Sequence, residues 1–180
     1  MCKPIERMAI QQYIHIGKIV ATFGTNGQVI VQHVLGKKTA LKGIKAIFIE
    51  QNKNSYLPYF VETAKPKNTE ETFVQLEGVG SKEAAHRFLN KNVWLPEADA
   101  IALMDVNAPI ALLGYTIVEK QKTLGTIEEV ITQPHQVLVR ISIEGKEVLI
   151  PLHEDTLQKI DRKRKEVWVN LPEGLLAIYL

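Results

Sequence analysis

Residues 17–31 read "GKIVATFGTNGQVIV" (Gly17–Val31), with three glycines and a lysine set between apolar runs. The pattern invites a phosphate-binding reading, and its spacing argues against one. A P-loop needs G-x-x-x-x-G-K-[ST], with the lysine and hydroxyl after the last glycine so that they reach phosphate and magnesium. Here Lys18 follows the first glycine, and Gly24 is followed by Thr25-Asn26. The G-x-G-x-x-G fingerprint is absent, and no helical pattern follows to offer its N-terminus to an anion. "GTNG" (Gly24–Gly27) also satisfies the G-x-x-G pattern that clamps RNA backbone in one module, but that module places it between helices. Between two alternating apolar runs, Asn26-Gly27 is a hairpin signal, because glycine and asparagine tolerate the positive φ of a tight turn. The stretch therefore predicts two antiparallel strands and a mainly β fold.

The same rhythm continues outward. "YIHIGKIVATF" (Tyr13–Phe23), "GQVIVQHV" (Gly27–Val34), "KAIFIE" (Lys45–Glu50), "LPYFVET" (Leu57–Thr63) and "TFVQLEGV" (Thr72–Val79) are β-rich runs. Gly36, Gly43 and "NKNS" (Asn52–Ser55) punctuate them, a spacing that suits a small closed antiparallel sheet. One helix is predicted over Ser81–Asn92, with Ser81 as N-cap, Glu83 near its positive end and Lys91 near its negative end. Ala84, Ala85, Phe88 and Leu89 fall on one face of it, and "NVWLP" (Asn92–Pro96) then returns to strand.

"EADAIALMDVNAPIA" (Glu97–Ala111) has neither a clear period nor strong caps and reads as a crossing between domains. Strand patterns resume in "LLGYTIVEK", "TLGTIEEVITQP", "QVLVRISI" and "KEVLIP", and "VLVRISIEGKEVLIP" (Val137–Pro151) is a hairpin turning on Glu144-Gly145. "EVWVNLP" (Glu166–Pro172) adds a strand before an apolar tail. The expectation is mainly β: two small β-barrel domains joined by a linker, with one short helix ending the first. The bounds are 12–97 for the first domain, 98–109 for the linker and 110–180 for the second.

Composition narrows the function classes. Apolar residues make up 46% and charged residues 23% of 180 residues, the balance of a globular protein in water. A formal charge of +2 is mild, so any RNA contact must be local or helped by a protein partner. Cys2 is the only cysteine, which excludes an intrachain disulfide or thiolate zinc cluster and fits a reducing cytosol. "MCKPIERMAIQQ" lacks the apolar core of a signal peptide, and no run has the roughly 18 apolar residues of a membrane span. A cytoplasmic protein without a membrane partner is expected.

No enzyme constellation emerges. His15, His33, His86, His135 and His153 show no metal-ligand spacing, and no cofactor or metal is predicted. His135 and His153 sit in turns, where a solvated loop histidine and a partner contact are both open. The serines are Ser55, Ser81 and Ser142, none in a G-x-S-x-G elbow. Glu128 and Glu129 are strand neighbours that point to opposite faces unless a bulge intervenes. Two basic sets stand out: "GKK" (Gly36–Lys38) with Lys42 and Lys45, and "RKRK" (Arg162–Lys165) in a turn. Each is a solvated turn or a phosphate contact, the latter through Lys37, Lys38, Arg162, Lys163, Arg164 and Lys165.

The order of these features resembles the bacterial ribosome maturation factor RimM family. Its N-terminal signature, roughly GKIV-x-x-HG-x-x-G-E-V-x-V, is matched at Gly17, Lys18, Ile19, Val20, Gly24, Gly27, Val29 and Val31. "SKEAAHRFLNKNVWLP" is similar to the family's S-x-E-E-A helix. Gly114, "TLGTIEEV" (Thr123–Val130), "KEVLIP" (Lys146–Pro151) and "IDRKRKEVWVNLPEGLL" (Ile160–Leu176) resemble its PRC-barrel half. The resemblance spans roughly residues 12–180.

It implies a monomeric, non-catalytic assembly factor that binds the immature small ribosomal subunit and its rRNA. Its PRC-barrel half would dock on small-subunit ribosomal protein nineteen. The contact residues it implies are Phe23, Gly24, Thr25, Asn26, Gly27, Leu112, Leu113, Gly114, Tyr115 and His153. The chain departs from the family pattern at several positions. Phe23 stands where relatives keep a histidine and Gln28 where they keep a glutamate. "APIALLG" replaces "YY-x-D-L-x-G", with Ala108-Pro109 at the aromatic positions and Ala111 at the aspartate. A PRC-barrel adaptor for another complex or a small ligand is the competing reading, and Met8 is a possible second start.

Overall fold

The computed structural model of the chain describes residues 12–53, 55–133 and 136–179. The leader with Cys2 and Met8, Asn54 of the "NKNS" turn, and His135 lie outside the described residues. The chain divides after Met104 into two compact units.

The first unit is a closed barrel built from β1 (Tyr13–Phe23), β2 (Gln28–His33), β3 (Ala46–Asn52), β4 (Ser55–Pro66), β5 (Glu71–Leu76) and β6 (Asn92–Pro96). Strand order around it is β1-β2-β5-β4-β3-β6. The period-2 pattern sets the wall: Ile47 and Ile49 on β3, Val74 and Leu76 on β5, and Val93 and Leu95 on β6 point into one apolar core. Each such burial contributes about 1.5–3 kcal/mol.

Closure falls on β1, which pairs with β2 along one edge and β6 along the other. Gly17 takes part in both pairings, opposite His33 and Val93, with register shifts on either side of it. A Cβ built at Gly17 would stand 1.9 Å from the Gln32 carbonyl oxygen. No side chain fits there, so the glycine is required by close strand approach.

The predicted helix is shorter than its apolar face suggested. α1 spans Lys82–His86, with the Ser81 hydroxyl accepting from Ala84 N–H at 3.2 Å as an N-cap should. Beyond it the chain tightens: Asn90 turns left-handed at φ +62. Asn90 N–H donates to Ile19 O at 2.8 Å, and Ile19 N–H donates to Lys91 O at 3.0 Å. Backbone pairing to β1 therefore overrides the helical pattern after Phe88, which stays buried with Ala85 in the core.

A second helix, α2 (Glu97–Leu103), occupies part of the span expected as a linker. Glu97 and Asp99 sit in its first turn, Glu97 N–H donates to Gln12 O at 2.9 Å, and Ala100 and Leu103 enter the first core. The alanines of "EADAIAL" hid this face, because alanine reads as apolar wherever it falls.

The second unit opens with a 3-10 turn, Pro109–Leu112, followed by β7 (Thr116–Glu119), β8 (Lys122–Gln133), β9 (Gln136–Ile143), β10 (Lys146–Leu152), β11 (Leu157–Asp161) and β12 (Glu166–Val169). These strands form one six-stranded sheet in the order β10-β9-β8-β7-β12-β11, antiparallel except for β7 beside β12. The sheet wraps its own core of Ile117, Ile127, Val139, Ile141, Val148, Ile150, Val167 and Val169. β8 makes this possible: its first half pairs with β7 and its second half with β9, with a bulge at each handover. The β9–β10 hairpin turns on Glu144 and Gly145, at φ +51 and +81, as predicted.

A buried polar triad ties the first barrel to residue 39. His33 is 2% exposed. Its Nε2 lies 3.2 Å from Thr72 Oγ1, and Thr72 Oγ1 donates to Thr39 O at 2.9 Å. Because the threonine proton is committed to that carbonyl, its oxygen accepts from His33 Nε2–H, which fixes the tautomer. A second ring proton would create a buried cation. Burial accordingly lowers the His33 pKa below its ordinary value of 6.5, offset in part by a backbone hydrogen bond.

Two outcomes follow from this geometry. Gly17→Ala should cost about 3 kcal/mol or more in denaturant unfolding, against about 1 for Gly24→Ala, whose Cβ meets open space; equal costs would contradict the closure argument. For His33, the folded pKa lies below the unfolded one, so the unfolded chain binds more protons as pH falls. Stability should be full above 6.5 and decline as pH drops from 6.5 toward the folded value. Melting curves of the wild type and His33→Gln should therefore converge in their pH dependence above neutrality and separate below it.

Candidate functional site

The residues singled out by sequence fall in separate places. Phe23–Gly27 form the β1–β2 connection of the first unit. Phe23 pairs with Gln28, and the four residues between them turn with left-handed glycines at both ends, Gly24 at φ +68 and Gly27 at φ +77. The turn is thus a four-residue loop and not the two-residue Asn26-Gly27 turn expected. Asn26 keeps a negative φ, and its Oδ1 accepts from Thr25 Oγ1 at 3.3 Å. The loop is backed by chain: a Cβ at Gly27 would meet Ser81 O at 2.6 Å and Val79 O at 2.7 Å. Gln75 Nε2 in turn donates to Val79 O at 2.6 Å.

Phe23 ends β1 with its side chain 53% exposed. Its ring stands 4.7 Å from that of Phe73, tilted by 47°. Phe73 lies on the outer face of β5, opposite Ile30 of β2 and Lys65 of β4. Lys67 Nζ is 5.9 Å from the Phe73 ring centroid and 2.9 Å from Glu71 Oε2. The Lys67 ammonium and the Asn68 amide hold the Glu71 carboxyl below the usual carboxylate range.

Phe73 and its lysines were missed from sequence. Their signal was present: in "ETFVQL" an aromatic occupies the polar phase of an alternating strand. A second aromatic group, Tyr13, His15, Phe48, Tyr56 and Trp94, lies on the outer faces of β1, β3, β4 and β6. There each ring is half-buried by a neighbour 4.6–5.3 Å away.

Three of the six basic candidates, Lys37, Arg162 and Arg164, have side-chain partners. Lys37 Nζ donates to Met104 O at 3.2 Å, while Lys38 is exposed. In the β11–β12 turn, Arg162 donates to Val106 O and, at 3.2 Å, to Asn107 Oδ1. Arg164 pairs with Glu166 at 3.2 Å, and Lys165 turns left-handed at φ +53 with its carbonyl accepting from Thr116 N–H at 2.9 Å. The Arg164 N–H and then the Lys159 ammonium hold the Asp161 carboxyl low. Lys163 remains as an exposed cation of this turn.

Residues 112–115 feed the second core: Leu112 is 6% exposed, and Leu113 and Tyr115 pack partly buried against it. Gly114, at φ +75, passes its N–H to Ile127 O at 2.9 Å. This segment adjoins the Arg162–Lys165 turn through Thr116. His153 lies beside the other end of the β11–β12 hairpin, where Leu157 faces Val169, and its Nδ1 accepts from Asp155 N–H at 3.3 Å. Pro151 O and His153 N–H are bridged by the Thr156 hydroxyl.

Glu128 and Glu129 do converge, because the β8 bulge turns both toward one face. They meet Arg140 at 3.5 and 2.9 Å, joined by Glu147 at 2.8 Å, so they form an ion-pair network with no acid–base geometry. Among the described residues no group of three or more His, Cys, Asp or Glu is placed to hold a metal ion. No helix among them is long and apolar enough to cross a membrane.

Comparison with known proteins places these features in a family. Residues 14–100 match the RimM N-terminal domain and residues 109–175 the RimM PRC barrel domain. The chain is 31% identical over 176 residues to the ribosome maturation factor RimM of Oleidesulfovibrio alaskensis, covering 95% of this chain and 98% of the relative. It is 36% identical over 126 residues to the factor of the same name from Parabacteroides distasonis, covering 68% of this chain and 72% of that one. The Christiangramia forsetii protein of that name is 25% identical over 175 residues, covering 96% and 99%.

The Arg162 contacts make a local tether within the second unit. Arg162→Ala should raise amide hydrogen exchange at residues 105–107 by about tenfold, equivalent to about 1.4 kcal/mol for a charge-assisted pair, while Lys163→Ala leaves exchange there unchanged. Equal effects of the two substitutions would show that the guanidinium holds nothing.

Proposed function

The chain belongs to the RimM family, and from that membership we propose that it is a ribosome maturation factor of the cytoplasm. It binds the immature small ribosomal subunit and assists assembly of the subunit's head and processing of 16S rRNA, with no catalysis of its own. The reading is carried by one observation: both domain matches occur in the family's order and together run from residue 14 to residue 175.

The surfaces support a binding role more than a chemical one. A backed loop presents an exposed aromatic on the first unit. A basic turn whose arginines are tied into the second unit presents Lys163 and Lys165. Residues 112–115 contribute mainly to the second core, so small-subunit ribosomal protein nineteen would meet the outer parts of Leu113 and Tyr115 rather than the tyrosine pair of relatives.

Cells depleted of this protein should accumulate small-subunit rRNA with unprocessed ends, together with free subunits in polysome gradients. Mature rRNA ends and a normal gradient after depletion would remove the assembly role.

A further inference from the structure

We propose that Phe23 and Phe73 form a stacking platform for unpaired RNA bases on the outer wall of the first barrel, framed by Lys18, Lys65 and Lys67. The inference rests on the assembly reading above and names the chemistry by which the first unit takes hold of rRNA.

The argument begins with where the chain spends its aromatic surface. A barrel this small buries its apolar residues inward, and the outer phase of β5 should be polar. Instead Phe73 sits there between Glu71 and Gln75, and Phe23 adds its ring 4.7 Å away. Beside Phe73, Ile30, its register partner on β2, is 6% exposed although it faces outward, so apolar surface continues next to that ring. In the five-ring group on β1, β3, β4 and β6, rings cover one another. At Phe23 half of the side chain stays open.

The platform is rigid before it binds. Gly27 is seated against Val79 and Ser81, and Gln75 fastens Val79. Asn68 Oδ1 accepts from the N–H groups of Glu70 and Glu71 at 2.8 and 2.7 Å, which sets the turn that carries Lys67. Pre-ordering of this kind lowers the entropy lost on binding.

The frame selects the occupant. Lys65 lies across from Phe73 on β4, Lys67 sits near the ring, and Lys18 is exposed one row away, in register with Gln32 and through it Glu71. Glu71 offsets one of the three. Protein interfaces are depleted in lysine at their centres. Nucleic acid supplies flat base faces for the rings and phosphates for the ammonium groups. A duplex hides its base faces in the stack, so the ligand is single-stranded.

The full chain should bind a fluorescein-labelled single-stranded oligoadenylate of about eight nucleotides in fluorescence anisotropy, and bind the matching duplex more weakly. Phe23→Ala should weaken single-strand binding by about 5- to 100-fold, with the protein still folded and only a small fall in the melting midpoint from the lost ring contact. Phe23→Trp should restore it and show indole quenching by the oligomer. Phe23→Leu, which keeps the apolar contact with Phe73 but loses the π face, should behave as alanine does. Lys65→Gln should flatten the salt dependence.

Equal binding by wild type and Phe23→Ala, equal affinity for duplex, or no binding of the oligomer by wild type would each overturn the platform. The two readings fail separately. Phe23-independent oligomer binding with immature subunits on depletion removes the platform alone; Phe23-dependent binding with normal subunits removes the assembly role alone.

Discussion

The first unit depends on one steric constraint, the approach of β1 to β2 at Gly17. In a closed six-stranded wall every strand bonds on both edges, and β1 does so while bending between β2 and β6. The position where β2 and β6 both face it must lack a side chain, since the Gln32 carbonyl occupies the space a Cβ would take. The register shifts flanking Gly17 are the bend itself. The β1–β2 loop leaves from this closing strand, and His33 is buried because it shares the inward phase of β2 with Val29 and Val31.

The second unit turns its six-stranded sheet at β8, where a Cβ on Gly125 would stand 3.0 Å from the Ser142 carbonyl oxygen. β8 is long enough to belong to two pairings in succession, and the chain bends where one hands over to the other. The bulge that bends it also brings Glu128 and Glu129 together on Arg140. An acidic pair that looks like chemistry in the sequence is, in three dimensions, a consequence of turning a corner.

Much of this was legible in sequence because inward and outward positions alternate with period 2. The alternation located β1 and β6 at their observed bounds, and Glu144-Gly145 declared its hairpin. The failures have physical causes. The helix after Ser81 ended early because a tertiary partner, the backbone of Ile19, claimed Asn90 and Lys91. α2 escaped notice because alanines blur a helical face. The loop at Gly24–Gly27 is longer than its Asn-Gly signal because two left-handed glycines, not one, close it. Of the candidate binding residues, Phe23 stood out as a departure from the family pattern, whereas Phe73 showed only through the phase of its strand. A phenylalanine inside a strand is what strand propensity predicts, and only knowledge of its face makes it unusual.

The charges bear on how such a molecule can hold RNA at all. A net charge of +2 leaves little for neutralising phosphates, and Arg162, Arg164 and Lys37 already hold backbone or carboxylate partners. On the proposed reading, RNA recognition leans on contacts that do not scale with cation count, and aromatic stacking is one. Phe23, at a position where the family resemblance implies a histidine, fits that economy. A histidine in the same loop would change charge near neutral pH, giving a contact that strengthens and weakens with protonation. Phenylalanine has an apolar face and no proton to exchange, so the proposed contact would be independent of pH and would persist at salt concentrations that screen the lysines beside it.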